Sequence, residues 1–148
     1  MGDWKSSRSF HGDPQRVLEL LTDPDAARTW SPIDFTLEDL DGDRLQTGDI
    51  AHVAGNLAGR RMSFDIEVFK ASDGRLVLRA SGPVKIDVDY GVQERDDGSG
   101  EITAWIKVSS SGGLIGRLAA SATDAVLAAG ALEATVKRIA TAAEEDPV

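Results

Sequence analysis

Hydrophobic and polar residues alternate with a period of two through most of the chain between residues 33 and 110. Such alternation is typical of β-strands that have one face against a core and the other in water. Turn-forming residues, such as Asp73-Gly74 and Gly82-Pro83, separate the alternating segments. The pattern therefore predicts a meander of antiparallel strands, preceded by a polar-rich first strand that ends near Gly12.

Three of these strands alternate clearly enough for each residue to be assigned to a face of the sheet. The predicted dry face consists of Met62, Phe64, Ile66 and Val68 on one strand, Val84, Ile86, Val88 and Tyr90 on the next, and Ile102, Ala104, Ile106 and Val108 on the last. Acidic residues such as Asp65, Asp87 and Asp89 fall on the wet face, where we expect them to act as solubility charges. A sheet with one dry face needs a second layer to cover it.

Two short helices are predicted directly after the first strand. Asp13 is a suitable N-cap for the first, because Pro14 follows it at the favoured first helical position. Asp23 and Pro24 repeat this pattern for a second helix, which Pro32 ends.

A long C-terminal helix is predicted from Leu114 to about Ala143, and it is the cover that the sheet needs. At about 100° per residue, one stripe contains Leu118, Ala122, Ala125, Ala129, Leu132 and Val136, flanked by Leu114, Ile115, Val126 and Ile139. The middle of this stripe consists of alanine and therefore presents little side-chain volume. Two interpretations remain open: the alanines let the helix pack closely on the sheet, or helix and sheet enclose a cavity that a ligand fills.

Composition limits the chemistry of the chain. Its 148 residues carry a net charge of −9, with two histidines and no cysteine. We therefore expect no metal site, no cofactor, no nucleic-acid partner and no stable membrane association, and we expect a cytoplasmic location. The length fits a single domain over residues 4–143, followed by an acidic flexible tail over 144–148.

The order of the predicted elements, together with three segments, resembles a known superfamily. The segments are DPQRVLELLTDPDAARTWSP, RMSFDIEVFKASDGRLVLRASGP and GGLIGRLAASA. They are similar to the START-like, or SRPBCC, superfamily of birch-pollen-allergen-like proteins and bacterial polyketide cyclase/dehydrase and lipid-transport proteins. The resemblance implies an α+β helix-grip fold, in which a curved antiparallel sheet of about seven strands wraps around a long C-terminal helix. It also implies a deep pocket for an apolar molecule, and it leaves the reaction open.

The predicted lining of that pocket follows from the assigned faces. It comprises Phe64, Ile66, Leu78, Ile86, Val88, Tyr90 and Ile106 from the sheet, and Ala122, Ala125, Val126 and Ala129 from the helix. Trp30, at the end of the second short helix, either closes the mouth of the pocket or fastens that helix onto the sheet.

Three functions remain open at this level. The first is binding of a small lipid-like or polyketide-like ligand without catalysis. The second is a cyclase or dehydratase, which needs an inward acid or base; His52 and Tyr90 are the candidates, although apolarity favours Ala51 rather than His52 facing inward. The third is an interaction module, in which Ala120, Leu127, Ala131 and Ala134 form the outer helix face and dock a partner or a second copy.

Overall fold

The structure is a computed structural model, and it describes residues 3–23, 26, 35–37, 45–57, 60–95, 99–110 and 113–144. The strands in this part of the chain are β1 (Asp3–Phe10), β2 (Phe35–Leu37), β3 (Ile50–Leu57), β4 (Arg60–Ser72), β5 (Arg75–Ser81), β6 (Val84–Glu94) and β7 (Gly100–Ser110). The helices are α1 (Pro14–Thr22), α2 (Gly113–Ala128) and α3 (Ala131–Glu144). Most of the second predicted short helix, including Trp30, lies outside the described residues.

All the strands belong to one antiparallel sheet, in the order β1-β7-β6-β5-β4-β3-β2. Six of them have seven residues or more, whereas β2 has three. The sheet is open and curved, and α1, α2 and α3 contact it. The chain is therefore α+β, and the combination of a curved antiparallel sheet with C-terminal helical structure fits the predicted helix-grip fold.

Helix α1 begins as the sequence predicts. The backbone N–H of Gln15 donates a hydrogen bond of 2.9 Å to the side chain of Asp13, and Pro14 occupies the first turn. The helix buries Val17 and Leu21 against the sheet and α3. Asp13 thus satisfies one of the free backbone donors at the start of a helix that is held mainly by its apolar side.

The predicted faces of β4, β6 and β7 are confirmed. On these strands, the side chains of Phe64, Val84, Tyr90 and Ile102 are buried, whereas Asp65 is exposed. The alternation is interrupted where the pairing of β4 with β5 shifts between Val68 and Lys70. Phe69 at this bulge is 46% exposed on the outer face, with the guanidinium carbon of Arg79 5.9 Å from the centre of its ring.

The outer face of the sheet carries cross-strand ion pairs. Arg79 donates a hydrogen bond of 2.6 Å to Asp87, and Arg75 donates one of 2.5 Å to Asp89. The register also places Lys107 directly opposite Asp87. These contacts confirm that the aspartates lie on the wet face, where each such pair contributes about 0.2 to 1 kcal/mol.

The C-terminal segment forms two helices, and the prediction of one continuous helix was wrong. The helical segment is interrupted at Gly130, whose φ of 94° lies in the left-handed region. The N–H of Gly130 donates to the carbonyl of Leu127, and that of Ala134 donates to the carbonyl of Gly130. A left-handed glycine of this kind is a common helix C-cap, so α2 ends here and α3 starts with a new helical phase.

The break overturns the predicted inner face of α2. Ala125 and Ala129, which we expected to face the sheet, are exposed, and Leu118 is 57% exposed. The predicted stripe is correct for α3, where Leu132, Val136 and Ile139 are buried. A constant angle per residue holds only within one helix, so the stripe of α3 does not extend back across Gly130.

The inner side of the fold has a tightly packed end, which we call the closed core. Its largest members are at most 1% exposed: Phe10, Val17, Leu21, Leu76, Ile102, Leu132, Val136 and Ile139. They come from α1, α3 and the strands that these helices contact. Complete burial of side chains of this size contributes about 1.5 to 3 kcal/mol each, so this end carries much of the stability of the fold.

Candidate functional site

On the inner face of the sheet, one group of adjacent aliphatic side chains is partly exposed: Ile66, Leu78, Ile86 and Val88. They are neighbours, because Ile66 and Ile86 are both paired with Ala80, and Leu78 is paired with Val88. We call these residues, together with Ala80, the aliphatic floor. A cluster of partly exposed aliphatic side chains on the concave side of a sheet is typical of the lining of an apolar binding site.

The floor is bordered by larger inner-face side chains. Phe64 is 9%, Tyr90 4% and Ile106 5% exposed. Ile106 lies opposite Val88, and Tyr90 follows Val88 on the same face of β6. The sheet residues predicted to line a pocket therefore all lie on the inner face, in one contiguous group.

Helix α2 contacts β3, β6 and β7, of which β6 carries Ile86 and Val88 of the floor. Among its described side chains, Ala120, Thr123 and Leu127 are buried, with exposures of 2%, 3% and 4%. Sequence reasoning missed all three as inward residues, and Gly130 is the signal that would have separated the phases of the two helices. The side chains of Ala122 and Val126 lie outside the described part of the structure.

The face proposed for an interaction module does not form. Ala120 and Leu127, which we expected on the outer side of the helix, are buried against the sheet side. Among the described side chains of α2, the exposed large apolar ones are Leu114, at 73%, and Leu118, at 57%. The reason is again that α2 does not share the helical phase of α3. The faces of α2 that we expected to be inner and outer are therefore exchanged.

Tyr90 is the buried titratable side chain of the inner face among the described residues. It lies between Leu76 and Ala104 of the neighbouring strands. Burial raises the pKa of its phenol above the ordinary value, because the phenolate is poorly solvated there. Tyr90 is therefore neutral at physiological pH and is suited to donate a proton or a hydrogen bond rather than to accept a proton as a base.

His52 is on the opposite side of the sheet. Its imidazole is 57% exposed, and its Nε2 atom lies 3.0 Å from Oδ1 of Asp65 on the outer face of β4. Ala51 is buried, at 1% exposed, so the expectation that Ala51 rather than His52 faces inward is confirmed. The alternative, in which His52 is a general base inside the pocket, was wrong because β3 takes the register that buries its apolar residue.

Helix α2 has a polar attachment to the edge of the sheet. The indole Nε1 of Trp4 on β1 donates a hydrogen bond of 3.1 Å to Oδ1 of Asp124. Both side chains are partly buried, and the charge of the carboxylate strengthens the bond. This contact links α2 to the first strand beside the candidate site.

Within the described residues, no group of three or more histidine, aspartate and glutamate side chains is arranged to hold a metal ion. No helix in this part of the chain is both long and apolar enough to span a bilayer.

The fold resembles many solved structures, although no protein-family model and no curated protein matches the chain. A protein from Chromobacterium violaceum has a TM-score of 0.69 and 13% identity, with 99% of this chain and 100% of that chain covered. The Zhui aromatase/cyclase from Streptomyces sp. R1128 has a TM-score of 0.67 and 15% identity, over 97% of this chain and 93% of that one. The protein KanY has a TM-score of 0.69 and 14% identity, over 98% and 100%. At these identities the similarity shows the fold alone.

Proposed function

We propose that the protein binds a small apolar molecule, lipid-like or polyketide-like, between the aliphatic floor and α2. The observation that carries this proposal is the partial exposure of Ile66, Leu78, Ile86 and Val88 on the inner face. A ligand that covers these side chains gains about 25 cal/mol per Å² of apolar surface, before the entropic costs of binding. The fold shared with an aromatase/cyclase supports the proposal at the level of architecture.

A catalytic role of the cyclase or dehydratase type is the second candidate. Tyr90 supports this candidate, because a buried neutral phenol beside the floor can donate a hydrogen bond to a bound carbonyl. The base first considered for such a reaction, His52, lies on the outer face. Binding without catalysis therefore has the stronger support among the described residues.

The first experiment asks whether a cavity is present at the floor. Ala80 lies at its centre, so Ala80→Leu adds apolar volume there without introducing a polar group. If the space above the floor is open, the free energy of unfolding in urea stays constant or rises by up to about 1 kcal/mol. Binding of the neutral fluorescent probe N-phenylnaphthylamine falls at least about tenfold, since the added side chain occupies part of the probe's volume.

Val77→Leu is the matched control, because Val77 precedes Leu78 on β5 and points to the outer face. It should leave probe binding unchanged. A loss of about 1 to 3 kcal/mol of stability in Ala80→Leu would indicate instead that α2 already fills this space, and would refute the proposal. Native mass spectrometry of the wild-type protein then asks which molecule, if any, copurifies.

A further inference from the structure

We infer that this site selects an electrically neutral molecule and discriminates against a ligand of the same shape that carries an anionic group. This inference rests on the proposed function and specifies the class of ligand. It arises from the way the described charged and uncharged side chains are divided between the two faces of the sheet.

Around the floor, the described groups on the inner side are hydrocarbon and hydroxyl groups, apart from the carboxylate of Asp124 on α2, which accepts a hydrogen bond from Trp4 of β1. Beyond the aliphatic floor, the described contributors are the rings of Phe64 and Tyr90, and the side chains of Thr123 and Leu127 from α2. Tyr90 and Thr123 supply neutral hydroxyl groups, which are compatible with a ketone, an ester, an alcohol or a phenol.

The described charged side chains that flank the floor on the same strands point the other way. Asp65 and Glu67 on β4 and Asp87 on β6 all lie on the outer face, and Arg79 of β5 is paired there with Asp87 at 2.6 Å. A carboxylate or sulfonate on the floor is therefore separated by the sheet from the guanidinium of Arg79. Removing such an ion from water without a partner costs several kcal/mol.

The raised pKa of Tyr90 indicates that a negative charge is unfavourable in this environment. The hydroxyl of this residue lies on the same face of β6 as Val88, and burial raises its pKa because the charged form is disfavoured. A ligand anion on the neighbouring floor meets the same unfavourable solvation. The net charge of the chain, −9, adds repulsion outside the site, which salt can screen.

The experiment compares two probes with the same ring skeleton. N-phenylnaphthylamine is neutral, and anilinonaphthalene sulfonate carries one added sulfonate. We expect the neutral probe to bind at least about tenfold more tightly in fluorescence titrations of the wild-type protein. We also expect this ratio to persist in about 1 M NaCl, where the Debye length is only about 3 Å and surface repulsion is screened.

A pair of variants locates the origin of the preference. Leu78→Lys places a cation on the floor and should shift the ratio of the two affinities at least about tenfold toward the sulfonate. Val77→Lys introduces the same charge on the outer face of the same strand, and should leave the ratio unchanged. Circular dichroism verifies that each variant is folded; should Leu78→Lys fail to fold, the salt titration of the wild-type protein decides the question alone.

The outcomes separate the two proposals. If neither probe binds the wild-type protein, the proposed function fails, and this inference fails with it. If both bind with equal affinity, or the preference disappears in high salt, the site exists but does not select for neutrality. A salt-resistant preference for the neutral probe supports the inference.

Discussion

The contact between Gly100 and Phe10 shows how a single hydrogen atom can determine packing in the closed core. Gly100 begins β7, and a Cβ added there would lie 2.5 Å from Cζ of the Phe10 ring. Phe10 is 1% exposed, so its ring is held on all sides. The absence of a side chain at Gly100 is therefore a steric requirement of the core rather than a need for an unusual backbone angle.

Gly100→Ala should consequently destabilise the protein. The added methyl group forces the Phe10 ring or β7 to shift, at a cost of about 1 to 3 kcal/mol in the free energy of unfolding measured in urea. Gly91→Ala is the control, because nothing lies within 4 Å of a Cβ at that position on the adjacent strand β6. Equal stability of the two variants would contradict the role assigned to the Phe10 contact.

At the scale of single residues, the sequence predicted the face of the sheet correctly wherever hydrophobic and polar residues alternate strictly. It assigned Phe64, Val84 and Ile106 to the inner face, because successive residues of a strand must point to opposite sides. It did not reveal the bulge at Phe69, which shifts the pairing of β4 so that Lys70 lies opposite Val77 of the outer face, since one extra residue in a strand leaves no clear mark in the sequence. It also could not show which inner residues stay partly exposed, because that depends on how closely the helices approach.

At the scale of elements, the separation of α2 from α3 is the largest departure from the sequence-based expectation. The strands, α1 and the buried side of α3 follow from local periodicity and capping. The inner face of α2 could not be obtained by extending the stripe of α3, because the left-handed residue Gly130 resets the helical phase. An alanine-rich segment has little contrast between an apolar and a polar face. The sequence of α2 alone therefore did not indicate which of its faces is buried.

Gly130→Ala distinguishes one helix from two by the sign of its effect. In a continuous helix, alanine would be more favourable than glycine by about 1 kcal/mol. At a φ of 94°, alanine is strained, so we expect a loss of about 1 to 2 kcal/mol in thermal or urea unfolding. Gly130→Asn should lose less, because asparagine tolerates the left-handed region. Stabilisation by alanine would favour the continuous helix.

At the scale of the whole molecule, Tyr90 links a single ionisation to global unfolding. It is the one tyrosine in the chain, so phenolate absorbance reports on it alone. Burial raises its pKa in the folded state above the unfolded value of about 10. The folded state thus holds this proton more tightly, and the corresponding stability is complete below about pH 10 and is lost as the pH rises toward the folded pKa.

We therefore expect the phenolate to appear together with the loss of circular dichroism in an alkaline titration. Ionisation near pH 10 with an intact circular dichroism spectrum would show that Tyr90 is accessible in the folded state. Tyr90→Phe provides the reference, since it removes both the absorbance change and this contribution to the pH dependence of stability.

The division of the inner side into a closed core and an aliphatic floor affects how the protein can change over evolution. Stability is concentrated in fully buried residues such as Leu76 and Ile139, whereas Leu78 and Ile86 of the floor retain partial exposure. Substitutions at the floor remove fewer contacts and cost less stability than those in the closed core. Under the proposed function, ligand preference can therefore diversify through the floor while the closed core keeps the fold intact, so this scaffold is a favourable starting point for acquiring or engineering new binding specificities.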